Sequence, residues 1–80
     1  MRTFELKTRK MIPLGTTKTI RHFYGTFKTA EEHCFKSLVL TFPKLQVSKA
    51  IIGNTCVYNM HNTQNQIERI CVLAEKFDRD

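Results

Sequence analysis

Six side chains in this 80-residue sequence could ligate a metal or move a proton: His22, His33, His61, Cys34, Cys56 and Cys71. A structural zinc site needs four converging ligands, usually announced by a C-x-x-C pair or two closely spaced histidines. Neither spacing occurs here. Cys34 and Cys71 fall on or beside apolar stripes, where a small hydrophobe is expected, so the thiols are read as reduced core residues and no metal or cofactor is expected. Two histidines and a lysine could cleave a phosphodiester by acid–base catalysis. His22 and His61 would then have to meet across a cleft between predicted strands. No phosphate loop, nucleophile elbow or carboxylate pair accompanies them, and the expectation is a protein that is not an enzyme.

The charged side chains are the more informative group. Residues 1–28 hold seven cations and one anion, while residues 29–80 hold six of each, so the whole net charge of +6 lies in the first third. A field so concentrated attracts phosphate or an acidic protein surface. Its blander role is to keep an edge hairpin from aggregating. Lys7, Arg9, Lys10, Lys18 and Arg21, with Tyr24 as a stacking residue, are the candidate contacts to DNA or RNA. A two-stranded ribbon carrying them could enter a major groove. A second reading is a protein-directed inhibitor or adaptor, of the kind viruses use, occupying a partner's surface through Met11, Ile12, Leu14, Leu40 and Val72.

Eighty residues make one domain, 1–80, with a single core. No apolar run approaches the roughly 20 residues that span a bilayer, and no apolar stretch of the signal-peptide kind follows the charged start. A cytoplasmic, regulatory binding module is expected, with neither a membrane nor a small-molecule substrate. Ten Thr against three Ala is a usage that AT-rich coding sequences, many viral ones among them, produce. The compartment would then be the host cytoplasm.

The stretch Tyr24 to Pro43 organises the chain. Thr29 and Glu32 have capping-box spacing, and Phe35, Leu38, Val39 and Phe42 form a stripe at helical intervals before Pro43 stops the helix. Before it, Arg2–Lys10 alternates as a strand, MIPLGTT reads as a loop, and Lys18–Phe27 reads as an antiparallel return. That second alternation is imperfect and leaves open which of Phe23 and Tyr24 faces the helix.

Leu45–Ile52 and Thr55–Met60 form a second hairpin around Gly53-Asn54, where a II′ turn wants glycine first. Its single charge, Lys49, suggests the sheet interior. Thr63 and Gln66 then repeat the capping box, and Ile67, Ile70, Cys71, Ala74 and Phe77 repeat the stripe, predicting a second helix. The expected fold is α+β in the order ββαββα, a four-stranded antiparallel sheet with two helices packed on one face. Tyr24 and Thr29 recur at an offset of 34 but the stripes at 32, so the halves share cap chemistry rather than descent by duplication.

Over about ten residues of that cap chemistry, GTFKTAEE resembles the strand-to-helix junction of ethylene-response-factor DNA-binding domains and of septal peptidoglycan-binding repeats. The first family places three strands before its helix where two are predicted here, and the second normally follows an export segment. Neither family is assigned.

Overall fold

The computed structural model describes residues 2–76, with His22 and Tyr24 described through their backbone only. Five strands and one helix run in the order β1 (Thr3–Met11), β2 (Leu14–Tyr24), α1 (Phe27–Thr41), β3 (Gln46–Ile52), β4 (Thr55–His61) and β5 (Ile67–Lys76). All pairings are antiparallel and the spatial order is β2-β1-β5-β4-β3. The helix carries the chain from the β2 edge to the β3 edge. At 1.5 Å per residue it measures about 22 Å, close to the about 19 Å width of four inter-strand gaps.

The expected four-stranded, two-helix fold is therefore corrected. Ile67–Lys76 is a strand, not a helix, and lies at the centre of the sheet between β1 and β4. Cys71 and Leu73 are buried on the helix side, and Ile70, Val72 and Ala74 alternate with them on the other face. A strand apolar on both faces reads as one continuous run, into which a helical spacing can also be fitted. Three β-branched residues, Ile67, Ile70 and Val72, favour the strand.

The second capping box also dissolves. Asn62 Oδ1 accepts from the amides of Gln64 (2.9 Å) and Gln66 (3.0 Å), and Asn65 takes a left-handed φ of 60° that asparagine tolerates. The result is an Asx turn between β4 and β5. Phe77, assigned to that helix, lies outside the described residues.

The remaining boundaries shift for local reasons. Thr26, not Thr29, caps α1: its Oγ1 accepts from the Thr29 amide at 3.2 Å and lies 2.9 Å from the Thr29 hydroxyl. Gly25, at φ 112°, lets the chain turn from β2 into this cap. At the other end the Phe42 amide donates to Leu38 O (3.0 Å), and Pro43 follows immediately. MIPLGTT is not an open loop, because Met11 pairs with Leu14 and only Ile12-Pro13 makes the turn. Gly53, at φ 60°, opens the two-residue turn between Ile52 and Thr55. The second hairpin is not wholly interior, since β3 pairs with β4 alone and forms an edge.

The core is one-sided. Phe4 and Leu6 of β1, Cys56, Tyr58 and Met60 of β4, and Cys71 and Leu73 of β5 meet Ala30, Cys34 and Leu38 of α1. The buried helix face is rotated from the expected stripe, for Val39 is exposed and Glu31 is buried. Replacing Thr26 by Ala is expected to lower unfolding free energy by about 1 kcal/mol, because an orphan amide loses its acceptor. Thr29→Ala, which spares that bond, should cost under half as much. Thermal or urea melts of both variants test the cap assignment, and equal losses would refute it.

Candidate functional site

Strand alternation sorts the predicted cations onto two faces. Lys7 and Arg9 share the open face with Glu5, while Lys10, Lys18 and Arg21 share the helix side with Phe4, Leu6 and Thr8. Register then brings a residue from far along the chain beside them: Lys10 pairs with Arg69 of β5, and Thr8 with Lys18 of β2. Together Thr8, Lys10, Gly15, Thr16, Lys18 and Arg69 line a recess of about 290 Å³ beyond the helix.

The recess has a prepared wall. Arg69 Nη1 donates to Thr8 Oγ1 (3.0 Å), and its guanidinium lies 4.7 Å from the centre of the Phe42 ring. Thr8, only 6% exposed, also accepts from the Cys71 thiol at 3.3 Å. Among the described residues no carboxylate lines the recess. The ion pairs among the described residues are Arg2–Glu75, Lys7–Glu5 and Lys49–Glu31, so none of the three recess cations is neutralised by a described carboxylate. Three cations, two hydroxyls and a glycine backbone suit an oxyanion.

Sequence reasoning missed Arg69, which is 59 positions from Lys10 and sat on a presumed helix. Only the β1–β5 pairing unites them, and no local signal marks it.

The other predicted contacts are dispersed. Lys7 pairs with Glu5 (3.3 Å), and Arg9 Nε donates to Gly15 O (3.1 Å). Arg21 sits farther along the helix side, opposite Leu6, its guanidinium 5.9 Å from the Phe23 ring. Phe23 is the helix-side aromatic, packed against the core; Tyr24 pairs with Thr3, and its side chain lies outside the described part. β1 is hydrogen-bonded on both sides, so the hairpin is no free two-stranded ribbon.

The five residues singled out for protein binding do not form one patch. Met11 and Val72 line a second depression of about 290 Å³ on the open face, with Lys7, Arg9, Thr17 and Ile70. Ile12 and Leu14 flank the hairpin tip. Leu40, 80% exposed, lies on the outer surface of α1 beside Val39 and Phe35.

Among the described side chains the candidate acid–base and metal residues do not converge. β1 and β5 stand between the strands of His22 and His61. His61 Nε2 lies 3.4 Å from Ser48 Oγ, and its Nδ1 is buried without a partner. Among the described residues no three His, Cys, Asp or Glu side chains gather as a metal would need.

The thiols are free and buried. Burial pushes Cys34 up to about 12, with Cys56 and Glu31 adding to the shift. Burial also raises Cys56 and Cys71, offset in part by hydrogen bonds to Tyr58 and Thr8 respectively. All three are thiols rather than thiolates at neutral pH, and a thiol is a poor nucleophile.

Glu31 is the one buried carboxylate among the described residues, and each of its oxygens has a partner. Lys49 Nζ lies 2.7 Å from Oε1, and the Tyr58 hydroxyl donates to Oε2 (3.1 Å) and to the Glu31 carbonyl (3.3 Å). The same ammonium sits 4.9 Å above the Phe35 ring. Burial pushes the Tyr58 hydroxyl well above its usual value, and the hydrogen bond to Glu31 raises Lys49 above 10.5. The chain matches no protein-family model, no curated protein and no solved structure.

Two outcomes are expected. A lysine whose folded value is raised contributes stability that is complete below its unfolded value and lost as pH climbs past the folded one. The melting-temperature gap between wild type and Lys49→Met should therefore hold constant to about pH 10 and shrink above it. A gap that widens there would break the assignment. At pH 8 an aromatic disulfide reagent should label none of the three cysteines in folded protein and all of them after denaturation. Fast labelling of the folded chain would overturn their burial.

Proposed function

We propose that this domain binds nucleic acid by seating phosphates of the backbone in the recess between Lys10, Lys18 and Arg69, with Arg21 extending the basic track along β2. It acts by contact rather than by catalysis. The observation that carries this reading is the convergence of those three cations on two threonine hydroxyls with no lining carboxylate among the described residues. Arg69, held by Thr8 and Phe42, needs little further ordering to meet an anion. Phosphate contacts carry no sequence information, so both DNA and RNA are within reach. Free core thiols suit a reducing compartment such as the cytoplasm.

A protein-directed role is the second reading. It is supported by the apolar floor that Met11, Ile70 and Val72 give the open-face depression, rimmed by Lys7 and Arg9.

Affinity against salt separates the two, measured with random-sequence duplex and single strands. Three neutralised phosphates give duplex binding a log–log slope of about −2.7. Lys10→Glu with Lys18→Glu should abolish that binding, whereas Lys7→Glu with Arg9→Glu, on the other face, should weaken it by less than tenfold. Circular dichroism would verify that both variants fold, as exposed substitutions predict. A wild type that binds neither strand form at low salt would discard the nucleic-acid reading and leave the open face as the contact surface.

A further inference from the structure

The two edges of the sheet are protected very differently. β2 carries Lys18 and Arg21, and its pairing with β1 breaks register between Leu6 and Lys7. Charges and bulges of this sort keep edges from pairing with other strands. β3 is less guarded: its register with β4 runs unbroken from Gln46↔His61 to Ile52↔Thr55, and it holds no proline. Its one charge, Lys49, is drawn onto Glu31 of the helix. Ile51 and Ile52 are 50% and 75% exposed at its end. Among the described residues no strand lies beside the outward row of β3 amides and carbonyls.

We propose that β3 pairs antiparallel with β3 of a second copy, joining two sheets into one of ten strands about a two-fold axis at Ala50. Charge selects the copy and the edge. The cations of β2 and β1 lie across the sheet from β3, four and three inter-strand gaps away, or about 19 and about 14 Å. Joining at β3 therefore leaves two strongly basic ends at maximal separation, whereas joining at β2 would oppose Lys18 and Arg21 with their own images.

Register follows from the same rule. An axis at Lys49 would set two lysines directly opposite, which is unfavourable. An axis at Ile51 would leave the first half of β3 unpaired. At Ala50 five of the seven strand residues pair, with Ser48 opposite Ile52 and Lys49 opposite Ile51. The inference goes beyond the nucleic-acid reading and does not need it, although a dimer would present two phosphate recesses at its outer ends.

Sedimentation equilibrium of the full chain over a dilution series tests it. The wild type is expected at twice the 9.4 kDa chain mass. Ala50 is exposed, so Ala50→Lys and Ala50→Glu should each fold. Each alone should halve the mass by opposing like charges on the axis, and an equimolar mixture of the two should return it to the dimer. Leu40→Lys, on the far side of the helix, should leave the dimer intact. A wild type that stays at the single-chain mass throughout overturns the proposal. So does a dimer that persists in both Ala50 variants.

Discussion

The polar tie between the helix and the sheet among the described residues is Glu31, through its buried carboxylate and its carbonyl. It enters the interface from the first half of α1 and is met by Tyr58 of β4 and Lys49 of β3. Apolar contacts from Cys34 and Leu38 are not directional and would tolerate several rotations of the helix. A buried carboxylate would not, because losing Lys49 leaves its charge uncompensated and losing Tyr58 leaves an oxygen without its hydrogen bond. Glu31 therefore sets the helix face that points down. It explains why Val39, apolar and well spaced, faces water.

That placement decides what the rest of the sheet can present. The helix covers the middle of one face, over Phe4, Leu6, Tyr58, Cys71 and Leu73, and stops short of the hairpin end. Beyond it the same face continues with Lys10, Lys18 and Arg69 instead of apolar side chains, and these line the recess. The thiols lie in the interface between helix and sheet, where burial keeps them protonated. The single charge of β3, Lys49, is paired with Glu31 of the helix.

Two surfaces consequently stand apart. The basic one belongs to β1, β2 and the start of β5, and suits phosphate. The less guarded one belongs to β3, at the far edge, and suits another strand.

Much of the local structure was legible in the sequence. Alternation in Phe4–Thr8 marks a strand, Gly53-Asn54 marks a tight turn, Pro43 marks a helix end, and the surplus of cations before residue 29 marks a basic surface. These are short-range effects, set by backbone sterics and period. Three things needed the tertiary structure. Ile67–Lys76 could be fitted to either period, and its place between β1 and β4, apolar on both faces, made it a strand. Lys7 and Lys10 sit three residues apart in one basic run, yet the pleat turns them to opposite sides. Arg69 joined Lys10 only because strands distant in sequence became neighbours. Propensity and period act over a few residues, whereas strand order and the partner of each side chain are settled by which pairings bury one common core. For this chain the existence of a basic surface was a property of the sequence, and its composition a property of the fold.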